Sequence, residues 1–199
     1  MDTKQHIIYQ EYYMQGSLTK DKYKETLDLD LQRYNGMKPS IKEWLFNYES
    51  WYLYQYVRNL RSIEYHANKG GYHRILYLFH YFIHKRLSLR FHITIYPFTT
   101  EGGLRLYHIG DFTHIGHNCI IGKNCTILPG VVFGNKHEEE SKGNIIIGDN
   151  CYFGLGAKIF GSVRIGNNVT VGANSIVTKD IPDNAIVGGV PAKIIKFKE

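Results

Sequence analysis

Between His108 and Thr178, large apolar residues recur at every sixth position. They fall at Ile109, Ile115, Ile121, Ile127 and Phe133, and after an irregular segment at Ile147, Phe153, Ile159, Ile165, Val171 and Val177. Four places after most of them stands a small or β-branched residue: Thr113, Cys119, Cys125, Val131, Cys151, Ala157, Val163, Val169 or Ser175. Three places after them Asn or Gly is common, as at Asn118, Asn124, Gly130, Asn150, Gly156, Asn168 and Asn174. These residue types tolerate the left-handed backbone of a tight corner. A period of six fits neither a helix nor an alternating strand, and one large and one small inward position per unit predict a stacked solenoid.

The residues before the solenoid follow a helical grammar. Asp2–Gln15 reads as a short helix ended by Gly16, and Thr19–Tyr34 as a charged helix stopped at Asn35-Gly36. Ser40 and Glu43 form a capping-box pattern, which predicts one helix running through Trp44, Trp51, Val57 and Leu60. Lys69-Gly70-Gly71 is a turn signal. A second long helix then mixes apolar and aromatic residues with Arg74, Lys85, Arg86 and Arg90. It is expected to pack on the base of the solenoid with a solvated cationic side, and a peripheral position on an anionic membrane is the sharper reading. His92–Phe98 reads as a strand leading into the solenoid. Lys136–Gly143 breaks the six-count with the composition of an exposed loop, and the tail Val187–Phe197 is expected to add a last strand.

Composition narrows the function classes. The chain of 199 residues is 43% hydrophobic and 14% aromatic, which is globular. No apolar run reaches the roughly 20 residues of a membrane span, and Met1–Gln10 is too polar for a signal peptide, so a cytoplasmic location is expected. The net charge is +6, but the basic residues are dispersed and no nucleic-acid motif surrounds them. A positive balance suits anionic small molecules equally. Cys119, Cys125 and Cys151 all occupy the small inward slot, so they are expected to be buried thiols and not metal ligands.

The strings Gly103-Leu-Arg-Leu-Tyr-His108, Ile121-Gly-Lys-Asn-Cys-Thr-Ile127, Gly154-Leu-Gly-Ala-Lys-Ile159 and Val187-Gly-Gly-Val-Pro-Ala-Lys193 resemble the hexapeptide-repeat acyltransferases. Their order is similar to that of the serine acetyltransferase branch and its relatives in surface-polysaccharide O-acetylation. The resemblance covers the chain from about Leu104 to the end. It implies a left-handed parallel β-helix over residues 92–199, preceded by a helical region over 1–91, with a loop near 136–143. It also implies a homotrimer with sites between subunits and acetyl-coenzyme A as co-substrate, without a metal. The acceptor is expected to be a sugar hydroxyl of a surface-polysaccharide precursor, with serine as the alternative. A non-catalytic repeat module and a nucleotide-sugar N-acyltransferase acting on an amino sugar are the remaining classes.

Acetyl transfer to a hydroxyl needs a base and donors for the developing oxyanion. Histidine suits the base near neutral pH, and His108, His114, His117 and His137 are the solenoid's candidates. By resemblance His108 matches the catalytic histidine. The acids that assist it in the serine enzymes fall here on Thr94 and Tyr107, and a second active-site histidine falls near Asn144. Asp111 is therefore the candidate orienter. The resemblance places the pantetheine arm along Leu155, Gly156 and Ala173, with Lys179 and Lys193 toward the phosphates of coenzyme A. Gly154-Leu155-Gly156 is no dinucleotide fingerprint, because no strand–helix unit surrounds it.

Overall fold

The computed structural model describes residues 18–34, 40–46, 48–135 and 144–199. The expected helix at Asp2–Gln15, the loop at 136–143 and His137 lie outside the described residues. Helices come first: α1 (Lys20–Arg33), α2 (Ile41–Leu45), α3 (Glu49–His66) and α4 (Tyr72–Phe91). Thr19 caps α1, its hydroxyl accepting from the Lys22 amide at 3.2 Å. The single helix expected from Ser40 onward is instead two. Tyr48 is extended, with φ −64° and ψ 124°, and restarts the helix at Glu49. That restart puts the Glu49 carboxylate in a first turn, where the helix dipole favours it. The turn after α3 contains Asn68 (φ 58°) and Gly71 (φ 61°), as its sequence demands.

From Ile93 the chain winds a left-handed parallel β-helix. Its strands form three sheets. The first is β1 (Ile93–Ile95), β3 (Thr113–Ile115), β6 (Val132–Gly134), β9 (Lys158–Phe160) and β12 (Ile176–Val177). The second is β4 (Cys119–Ile121), β7 (Ile145–Ile147) and β10 (Arg164–Ile165). The third is β2 (Arg105–Leu106), β5 (Thr126–Ile127), β8 (Tyr152–Phe153), β11 (Thr170–Val171), β13 (Ala185–Gly188) and β14 (Lys193–Phe197). Pairing is parallel throughout except β13–β14, where the tail folds back antiparallel.

The six-residue pattern is the core. From Ile115 to Val177 each repeating apolar residue is at most 2% exposed, whereas Ile109 at the entry is only partly buried. Asn124, Asn150, Asn168 and Asn174 turn the corners with φ between 54° and 58°. Asn118 is absent from this left-handed set, so its place in the repeat does not by itself force the corner geometry. Cys119, Cys125 and Cys151 are buried and free. Cys125 lies one coil above Cys151, because Thr126 pairs with Tyr152. Burial pushes the Cys119 thiol up to about 12, which keeps it protonated and inert.

A buried charge cluster joins helices to solenoid. Arg61, 1% exposed, pairs with Asp30 at 2.9 Å and Glu64 at 3.1 Å, and donates to the carbonyls of Thr100 (2.7 Å) and Glu101 (2.6 Å). Asp30 in turn accepts from the amides of Gly103 and Leu104, and Glu64 from that of Phe98. Burial opposes the Arg61 charge, but Asp30 and Glu64 more than restore it and hold its pKa above the ordinary value. Tyr56 adds a neutral clamp: its hydroxyl donates to the Ile93 carbonyl (3.0 Å) and accepts from the Ile95 amide (3.1 Å). Together α1 and α3 are fixed against the first coil, and with them the position of Glu49.

Candidate active site

His108 sits in the corner between β2 and β3. Its own backbone is left-handed, with φ 55°, an uncommon state for a residue with a side chain. Such states gather at functional sites, where the surroundings hold them. The ring is 69% exposed, and its Nδ1 lies 3.0 Å from Glu49 Oε2. The other Glu49 oxygen accepts the amide of Ile109. One carboxylate thus binds both the ring and the backbone beside it. With Nδ1–H donating to Glu49, Nε2 is left with a lone pair, which is the tautomer a general base requires.

The sequence reading assigned the orienting role to Asp111, but the carboxylate at His108 is Glu49. Asp111 is exposed, and its side chain makes no hydrogen bond or ion pair among the described residues. Glu49 was missed because it stands 59 positions from His108 and precedes the repeat altogether. The signal that was available is an acid at a helix start, which many surface helices share. Among the described residues, no other histidine touches an acid. His114 is half-buried with its ring stacked on Phe112 at 5.6 Å, and burial lowers its pKa. His117 is exposed, its ring centroid 5.9 Å from that of Tyr96 in an edge-on arrangement. Thr94 lies in β1 opposite His114, and Tyr107 is half-exposed beside the Arg105 guanidinium at 4.6 Å.

The corners that follow β2, β5, β8 and β11 stack into one edge of the prism. The Gly156 amide donates to the Pro129 carbonyl at 2.9 Å, and the Asn174 amide to the Leu155 carbonyl at 2.7 Å. Asp111 lies against Gly130, and Gly130 against Gly156. His108 and the expected donor corner therefore share an edge, with the base toward the helical end. Leu155 projects from it 44% exposed and Ala173 is exposed, whereas Gly156 is half-buried. The glycines have a packing reason of their own: a Cβ on Gly154 would stand 2.7 Å from the Ala173 amide nitrogen. Lys179 and Lys193 are exposed beyond β12 and at the start of β14, with no side-chain hydrogen bond among the described residues. Lys158, not anticipated from the sequence, reaches this edge and donates to the Gly130 carbonyl. No cluster of His, Cys, Asp and Glu suited to a metal occurs among the described residues.

The family profile described as bacterial transferase hexapeptide (six repeats) matches residues 107–135, and that of the hexapeptide repeat of succinyl-transferase matches 144–179. Over these residues the solenoid is similar to the hexapeptide repeats of bacterial transferases. A serine acetyltransferase of Staphylococcus aureus is 38% identical over 104 residues, which are 52% of this chain and 49% of that protein. One from Bacillus pumilus is 34% identical over 131 residues, covering 62% and 60%. The matched region is thus about half the length of the first of these relatives. Among solved structures, Neisseria gonorrhoeae serine acetyltransferase superposes with a TM-score of 0.69 at 26% identity, over 91% of this chain and 69% of that one. The Brucella abortus serine acetyltransferase in complex with coenzyme A shares the fold, with a TM-score of 0.65 at 21% identity over 98% and 74%.

Replacing Glu49 by Gln removes the charge and keeps the shape. If His108 is the base of an acetyl transfer, kcat should fall about tenfold or more with KM for the donor little changed, since an orienting carboxylate acts on the base and not on binding. Nitrogen NMR of the His108 ring supplies the readout that a structural role would not move: proton loss from Nδ1 in Glu49→Gln.

Proposed function

We propose that the protein is an acetyl-coenzyme A-dependent O-acetyltransferase with His108 as general base and Glu49 as its positioning residue. The observation that carries this reading is the Glu49–His108 contact at 3.0 Å on the edge that also bears Leu155, Gly156 and Ala173. His108 Nε2 takes the acceptor hydroxyl proton as its oxygen attacks the thioester carbon. The tetrahedral intermediate collapses, the C–S bond breaks, and the proton on Nε2 passes to the leaving thiolate. Products are the O-acetyl ester and free coenzyme A. Leu155, Gly156 and Ala173 would line the pantetheine arm, and Lys179 and Lys193 would meet its phosphates, as positively charged side chains suit. The coenzyme A held by the Brucella abortus neighbour supports the donor assignment.

Serine is the acceptor the relatives favour, because those matched are serine acetyltransferases. This places the sugar hydroxyl expected from the sequence second. What favours a sugar is that Thr94 and Tyr107, onto which the acids that assist the histidine in the serine enzymes fall, are not acidic here, and Glu49 is engaged by His108 and Ile109. Under the serine reading Asp111, an exposed carboxylate on the same edge, takes the amino acid's ammonium. If serine is the acceptor, Asp111→Asn should raise its KM about tenfold, the worth of one charge-assisted hydrogen bond, with KM for acetyl-coenzyme A unchanged. Mass spectrometry of serine and sugars incubated with the enzyme and acetyl-coenzyme A decides between them, since the acetyl group stays on the true acceptor.

The exposure of His108 supports a further part of this reading, that the sites are completed between subunits of a homotrimer. A base open to water on one side needs a second wall to exclude it. Sedimentation equilibrium should return three times the chain mass, and a monomer under assay conditions would contradict the shared site.

A further inference from the structure

The outward face of α4 is the largest feature that acetyl transfer leaves unused. At about 100° per residue, Ile75, Leu78, Phe79, Phe82 and Leu89 fall within one arc of roughly a third of the helix circumference. Each is between 56% and 78% exposed. The opposite side of α4, carrying His84, Ser88 and Phe91, is the one buried against the rest of the protein. The helix therefore has a second apolar face with nothing in this chain covering it among the described residues.

The charges bordering that face are of one sign. Arg74 and Lys85 fall along one margin by the same helical spacing and Arg90 along the other, while Arg86 stands within the stripe. No acidic residue occurs anywhere between Glu64 and Glu101. The Arg86 guanidinium lies over the Phe82 ring at 5.0 Å, so this cation packs on the stripe itself. At the N-terminal end of the stripe a cavity of about 530 Å³ opens between α3 and α4, lined by His66, Lys69, Arg74 and Leu78 among others. An apolar ridge with cationic margins and a cation-lined hollow at one end matches the layers of an anionic membrane surface, acyl chains beneath and phosphates beside.

We propose that α4 docks the protein on an anionic phospholipid surface, with Phe79 and Phe82 entering the acyl boundary and Arg74, Lys85, Arg86 and Arg90 meeting headgroup phosphates. No helix among the described residues is long and apolar enough to cross a membrane, so the contact is peripheral. It does not depend on the acetyl-transfer reading, since the stripe lies on α4 and the His108 edge does not include it.

The test is flotation of the full chain with vesicles of phosphatidylcholine alone and with about a third phosphatidylglycerol. Binding to the anionic vesicles only, weakened by salt, is the expected result. Phe79→Glu with Phe82→Glu should lower it at least about tenfold, since each buried ring is worth on the order of tenfold in partition. Both positions are exposed, and circular dichroism checks that the variant folds. Equal binding by the variant, or no binding to anionic vesicles, overturns the proposal. So does full displacement by inorganic phosphate, which would make the cations a site for a soluble anion. Loss of self-association in the variant, without vesicle binding by the wild type, would assign the face to a second copy of the chain instead.

Discussion

Replacing His108 by Asn is expected to lower kcat about 10²- to 10⁴-fold, the usual worth of a positioned general base. Asn is the informative choice for a structural reason. His108 holds φ 55°, which Asn tolerates better than Ala does, so the corner should survive the change. The Asn amide still offers a donor toward Glu49, but no lone pair replaces Nε2. Donor affinity should stay within about twofold, because no donor contact is assigned to this ring and uniform binding is untouched. Steady-state kinetics with a separate measurement of acetyl-coenzyme A binding separates the two. Loss of donor binding together with kcat would mean that the corner collapsed, and retention of kcat would remove His108 from the chemistry.

The second large effect concerns Arg61. Arg61→Met should destabilise the fold by about 3–5 kcal/mol, the cost of leaving buried charges without their partner. Asp30 and Glu64 would remain, both buried, and the Thr100 and Glu101 carbonyls would lose their donor. At roughly 2–4 °C per kcal/mol for a chain of this size, thermal unfolding should move down by about 6–20 °C. Adding Asp30→Asn and Glu64→Gln to Arg61→Met should recover part of the loss, because the stranded charges go with it. The effect would also reach activity. Glu49 is twelve residues before Arg61 on the same helix, about 18 Å away along its axis, and Arg61 helps Tyr56 and Glu64 to hold that helix to the first coil. A melting curve unchanged in Arg61→Met would show that the cluster contributes nothing beyond shape.

The solenoid was legible because its code is local and repeated. Ile121, Ile127, Phe133, Ile147 and Phe153 sit where a count of six puts them, and so do the small residues Cys125, Val131, Cys151 and Ala157. Counting in sixes did not single out His108 from His114, His117 and His137; the resemblance of Gly103-Leu-Arg-Leu-Tyr-His108 did. What escaped lies in contacts between distant parts of the chain. The run from Ser40 to Leu60 has continuous helical periodicity, yet Tyr48 breaks it and re-aims Glu49 at the solenoid. No spacing rule joins position 49 to position 108. Asp111 was the natural candidate because it is near in sequence, and sequence distance is a poor guide where coils and helices meet. The Arg61 cluster was hidden likewise: Asp30, Glu64 and the carbonyl of Thr100 come from three separate segments. Gly156 is matched to the donor by resemblance, and the structure gives it a duty in the corner itself, with φ 70° and the Asn174 side chain where a Cβ would stand.

Release of free coenzyme A from acetyl-coenzyme A, followed with a thiol reagent in the presence of serine and of a sugar panel, tests the central claim most directly. The buried thiols Cys119, Cys125 and Cys151 leave the background low. The account predicts release that starts on addition of one acceptor and that His108→Asn abolishes. Absence of both donor binding and acceptor-dependent release would contradict it, and would leave the solenoid as a repeat scaffold without chemistry of its own.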